Sequence, residues 1–192
     1  MENLLTIFSA FGLSASAGLN AYIPLLVVAL MAKFTNWIHL EAPWDALTSW
    51  WIIGLLAILL IIEFFVDKIP VIDHVNDAIQ TVIRPAAGAV VFAANTNVIT
   101  NINPIVALAL GLIMAGSVHA TKSVVVRPVV GVASAGTAQV PVSIAEDATS
   151  TAVSIASIIA PLVVFLLLVA FASWLIYYFF LREKPKPSKK NL

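Results

Sequence analysis

The chain has no cysteine and very little charge. Without cysteine there can be no disulfide, no thiolate nucleophile and no thiolate-ligated metal. Charged residues fill 10% of 192 positions, against about 25% in ordinary soluble domains. Ten Lys and Arg offset ten Asp and Glu, so the formal net charge is zero. With no basic excess to neutralise phosphates, nucleic acid is excluded as a partner. Catalytic signatures are missing too: there is no glycine-rich phosphate loop, no His-Glu-x-x-His and no Gly-x-Ser-x-Gly elbow. His39, His74 and His119 are scattered, so the sequence implies no metal and no other cofactor.

What the chain does have is apolar side chains, 61% of the total. So apolar a polymer would not stay open as a disordered chain, and as a small neutral soluble domain it would aggregate. An all-α, polytopic transmembrane helical bundle forming a single domain remains. No Lys or Arg precedes Lys33. The positive start of a secretory signal is therefore lacking, although Ala15-Ser16-Ala17 mimics a cleavage site.

Hydropathy divides the chain into about five to six crossings. Leu4–Ala32 is apolar and, as one helix, would run about 43 Å, longer than a bilayer core of about 30 Å. Its centre, Ser14 to Ala21 followed by Pro24, is small and polar. It predicts either one kinked helix or two arms around a break near Gly18–Asn20. Four of the five tryptophans fall at 37, 44, 50 and 51, which predicts an interfacial loop with a short helix lying flat. Ile52–Val66 is the clearest span. From Val71 to Asn95 an amphipathic helix enters the membrane, kinked or restarted at Pro85. A turn-rich stretch, 95–104, lies near the midpoint. Apolar segments at 105–118, 129–142 and 148–181 follow, the last containing Pro161 and ending in Trp174, Tyr177 and Tyr178. The tail, 182–192, holds five of the ten basic residues, and the positive-inside rule puts it in the cytoplasm.

Two halves, about 1–97 and 103–181, repeat one order: a small-polar break, an apolar span, a proline, an acid, a helix and another proline. With about three apolar stretches in each, a duplication would be inverted, as in many secondary transporters. Charged side chains in apolar runs must face a cavity, a partner or the interface. Glu63 and Asp67 lie four apart near a helix end. Asp73, Asp77 and Arg84 share one helix face. His119 and Lys122 are one turn apart, with Arg127 off their line if the helix is continuous. Glu146 and Asp147 follow Ser143 at the spacing of a capping box, which would place them in the first turn of a helix. Asp147 would join a site only by approaching Asn20, His119 or Arg84 across the bundle.

Gly18-Leu19-Asn20-Ala21-Tyr22-Ile23-Pro24, Asp67-Lys68-Ile69-Pro70 with Asp73, Arg84-Pro85-Ala86-Ala87-Gly88, His119-Ala120-x-Lys122 and Glu146-Asp147 resemble a family of small bacterial multi-pass membrane proteins classed as a domain of unknown function. The resemblance covers nearly the whole chain except the tail. It implies a multi-pass protein of the bacterial inner (plasma) membrane, and no catalytic residues.

These residues predict a small transporter or channel for an ion, a proton or a small solute. Its polar site would use Asn20, Glu63, Asp67, Asp73, Asp77, Arg84, His119, Lys122, Arg127 and Asp147. A structural, accessory or lipid-binding membrane protein is the first alternative, and an intramembrane lipid-modifying enzyme the second. Membrane lipid is the expected partner in each case. Small-residue faces at Ala15–Gly18 and Ala86–Ala89 would suit contacts within one chain or in a homo-oligomer.

Overall fold

The computed structural model describes residues 2–66, 70–96, 102–134 and 138–178, with backbone alone at 2, 70–75, 77, 131 and 133. The described residues form helices: α1 (Glu2–Leu19), α2 (Tyr22–Phe34), α3 (Trp50–Val66), α4 (Pro70–Thr96), α5 (Pro104–Thr121), α6 (Arg127–Ser134), α7 (Gln139–Ile159) and α8 (Pro161–Ile176). A 3-10 turn, Trp44–Thr48, leads into α3, and a π-helical segment, Lys122–Val126, joins α5 to α6.

The first apolar run is two arms. Asn20 stops α1, and its side-chain oxygen accepts from the backbone N–H groups of Tyr22 (3.0 Å) and Ile23 (3.1 Å), starting α2. This is the N-cap bond, made with the short amide that suits it. The arms fold back on each other. Leu13 of α1 and Val28 of α2 share an apolar cluster, and Ile38, just past α2, returns to the level of Leu5. At the open end of this hairpin, Lys33 donates to the Thr48 carbonyl (2.7 Å) and lies over the Trp50 ring. The tryptophan-rich segment is thus tied to the foot of α2.

Helix α1 is central, packed on α4, α5, α7 and α8. Small residues allow this. A Cβ on Gly18 would stand 2.5 Å from the Ala115 carbonyl, and one on Gly88 would collide with Ala115. The small-residue faces around 15–18 and 86–89 therefore serve contacts within the chain, where close backbone approach replaces the missing hydrophobic drive. Helix α4 continues through Pro85 without restarting. The last apolar run divides at Ala160, so Pro161 begins α8, a position where its missing N–H costs nothing.

Pro104–Val130, 27 residues, and Gln139–Ile159, 21 residues, are long and apolar enough to cross a membrane. Tyr22–Phe34, Trp50–Val66 and Pro161–Ile176 are shorter apolar helices. The stretch 97–101, the 67–69 connection and the basic tail from 179 lie outside the described residues, as do the predictions made for them.

Candidate functional site

Burial is inverted relative to a soluble protein. Trp51 is 90% exposed and Ile105 74%, and Leu55, Ile58, Leu166 and Leu167 are also exposed. Arg84, at 0% exposure, is the largest fully buried side chain, and Asn20, Glu63, Gln80, His119 and Lys122 are buried with it. Apolar side chains outside and ions inside is the arrangement stable in lipid, where an ionised group must find partners within the bundle.

Arg84 joins three helices. Its Nη2 donates to Glu63 Oε1 on α3 at 2.9 Å, and its Nη1 meets His119 Nδ1 on α5 at 3.2 Å. An arginine can only donate, so His119 Nδ1 accepts, and the ring carries its proton on Nε2. Nε2 then donates to Thr81 Oγ1, 3.2 Å away, one turn before Arg84. Tyr22 and Gln80 lie beside this group.

A second group closes the tip of the hairpin. Helix α1 ends at Leu19, whose carbonyl has no intrahelical donor. Lys122 Nζ donates to it at 3.1 Å and pairs with Glu146 Oε2 at 2.7 Å. Asn20 Nδ2 donates to Asp147 Oδ1 at 3.0 Å, so Asp147 does cross the bundle to Asn20. Arg127 Nη2 also reaches Glu146 Oε2, at 3.4 Å. The π segment explains this. Arg127 N–H bonds to the Lys122 carbonyl, five residues back. Residues five apart stack in a π turn, so Arg127 returns to the side of Lys122 and is not displaced from its line. Arg84 and Lys122 are near enough to repel, so the two groups adjoin. Three bases, Arg84, Lys122 and Arg127, face three acids, Glu63, Glu146 and Asp147.

Glu146 corrects the capping-box expectation. Helix α7 starts at Gln139 on an Ala138 cap that makes no side-chain bond. Glu146 therefore lies two turns inside the helix, and its carboxylate is an ion partner. Ser143, Glu146, Ser150, Ser154 and Ser157 are the buried face of α7. Ser16 Oγ donates to the Ser150 carbonyl at 2.8 Å and lies within hydrogen-bond distance of Ser150 Oγ (2.8 Å) and Ser154 Oγ (2.7 Å). Glu146 and this serine face were missed in the sequence. Their spacing of three and four residues along one helical stripe is the signal that reveals them.

Of the anticipated residues, Glu63, Arg84 and His119 form one group, and Asn20, Lys122, Arg127 and Asp147 the other. Asp67 lies outside the described residues. Asp73 and Asp77 lie in α4 ahead of Arg84, with side chains outside the described atoms. Among the described residues no three His, Asp or Glu side chains gather as a metal site. Among the described residues the buried acceptors Gln80 Oε1 and Glu146 Oε1 have no hydrogen-bond donor. Each leaves room in the network for a ligand that donates or coordinates.

Fold and burial together define a membrane-associated, all-α protein with a charged interior. Residues 7–181 match the family described as a domain of unknown function, DUF4126, and the chain belongs to that family. No curated protein and no solved structure matches it.

Proposed function

We propose that the protein is a small multi-pass membrane transporter for a proton, another ion or a small solute. Its site lies where the α1–α2 tip meets α3, α4, α5 and α7. The observation that carries this reading is the buried charge at a helix break: Lys122 bridges the last carbonyl of α1 to Glu146, beside Asn20 and Asp147. Interrupted helices whose ends face buried charge are the usual ligand sites of secondary transporters, because their free backbone groups can hold ions. The unpaired Gln80 and Glu146 oxygens provide acceptors there. On this reading the described conformation is the occluded one, and transport requires the hairpin tip to part from α5 and α7.

The chain order supports two related halves, 1–97 and 103–181. Each opens with an 18-residue helix (α1, α5) that is interrupted, at Asn20 and at the π segment, and each closes with two further helices, α3 and α4 in the first and α7 and α8 in the second. The halves differ in that the first interruption reverses the chain and the second does not. On this reading the bundle crosses the bacterial inner membrane several times, with the basic tail in the cytoplasm.

The test is flux in proteoliposomes. Purified protein should carry protons, alkali cations or a small solute down an imposed gradient. Arg84→Gln and Lys122→Met should abolish this flux while Lys33→Gln retains it. Equal flux in all four proteins, or none in the wild type across the panel, refutes the assignment.

A further inference from the structure

A second site lies at the other end of the hairpin, away from the charged groups. A half-open cavity of about 370 Å³ is walled by the starts of α1 and α8, the ends of α4 and α7, and the segment after α2. Its volume lies in the range of small-molecule sites, about 300–1,000 Å³. Three observations define what it holds.

The first is spare polar capacity on the inner wall. Ser9 lines the cavity at 7% exposure, and among the described residues its hydroxyl has no hydrogen-bond partner. Asn95, 8% exposed, donates its amide N–H to the Thr6 carbonyl at 3.1 Å, leaving the amide oxygen as an acceptor. A hydroxyl and an amide oxygen open to the cavity can bond a ligand that both donates and accepts.

The second is the absence of charge. Among the described residues no Lys, Arg, Asp or Glu lines the cavity, and the ionisable group there, His39, is on the exposed rim. A phosphate, carboxylate or ammonium brought against Ser9 would find no counter-charge. The site therefore selects an uncharged head.

The third is a separate apolar groove nearby on the same two helices. About one turn from Ile158–Pro161, Ala152, Val153 and Ala156 of α7 face Val164, Leu167 and Leu168 of α8 across a groove of about 340 Å³. Trp37, 61% exposed, stands at the rim of the polar cavity, as an indole at headgroup level does. A cavity that offers Ser9 and Asn95 on its wall, with an apolar groove nearby along α7 and α8, suits a molecule with one hydroxyl-bearing head and one acyl chain. The chain gains nothing over bulk lipid, whose tails are equally apolar. Selectivity therefore rests on the head.

We propose that this cavity binds an uncharged, single-chain lipid with a hydroxylated head, of the monoacylglycerol type, held by Ser9 and Asn95 with its chain in the α7–α8 groove. The proposal does not depend on the transport reading, and its test involves no flux.

The experiment is lipid titration of the full chain in phosphatidylcholine nanodiscs, read by native mass spectrometry and by the unfolding temperature. Monooleoylglycerol should bind saturably with one molecule per chain and raise the unfolding temperature. Oleoyl lysophosphatidate and oleoyl lysophosphatidylcholine, with the same chain, should bind at least tenfold more weakly. Ser9→Ala removes the hydroxyl without adding bulk to the cavity wall, and should weaken monooleoylglycerol binding by about three- to tenfold, the worth of one hydrogen bond. Val164→Phe, which fills the groove, should weaken it while leaving glycerol monobutyrate unaffected. Equal binding of the charged lysolipids, unchanged binding in a folded Ser9→Ala protein, or no saturable monooleoylglycerol binding overturns the proposal.

Discussion

Replacing Arg84 with methionine removes a cation bonded to Glu63 at 2.9 Å, with both side chains under 2% exposed. Removing one member of a buried ion pair costs about 3–5 kcal/mol, because the other charge stays desolvated. At about 1.4 kcal/mol per tenfold, the folded-to-unfolded ratio falls by about two to three and a half powers of ten. Glu63→Met alone should cost a similar amount by stranding the guanidinium. The double variant Glu63→Met/Arg84→Met loses both charges and refills the space with apolar volume. Such replacements are neutral or even stabilising, so it should be more stable than either single variant. The assay is reversible unfolding in mixed micelles, followed by fluorescence of the five tryptophans. Additive losses in the double variant, or single losses below about 0.5 kcal/mol, would show that the pair is not desolvated and would refute the argument.

Asn20→Ala removes the N-cap of α2 and the bond to Asp147, and should cost about 1–3 kcal/mol in the same assay. Asn20→Asp should restore the cap but not the bond to Asp147, so it should not recover wild-type stability. Gly88→Val forces a side chain against Ala115 and the Gly111 carbonyl; overpacking of this kind should cost about 1–3 kcal/mol. Nitrogen NMR of labelled histidine should find His119 neutral with its proton on Nε2, and Arg84→Met should release that tautomer. Ser16→Ala breaks the contacts to Ser150 and Ser154. At about 0.6 kcal/mol per interhelical bond in a membrane protein, it should destabilise measurably but modestly.

Much of the architecture is visible in the hydropathy pattern, because length and polarity alone limit what lies in lipid. The break at Asn20 is legible as a small-polar interruption. That the chain reverses there is not, since a kink and a hairpin share the same residues. Arg84 and His119 stand out as ionisable groups beside apolar runs. Glu146 did not, because Ser143 three residues earlier imitates a helix start, and only the true start at Gln139 exposes the imitation. Arg127 was misplaced by assuming 3.6 residues per turn through a stretch that is π-helical. The Leu19 carbonyl, the partner of Lys122, is a backbone group and carries no mark in any sequence.

The account rests on an inverted interior: ions inward, apolar side chains toward lipid. The natural absence of cysteine makes this directly measurable, since single-cysteine variants at Leu55, Ile58, Ile113 and Leu166 can be spin-labelled without background. In liposomes these labels should relax strongly with oxygen, which concentrates in the acyl region, and weakly with a water-soluble nickel chelate. Strong relaxation by the nickel chelate at all four positions would place the apolar surface in water and contradict the account.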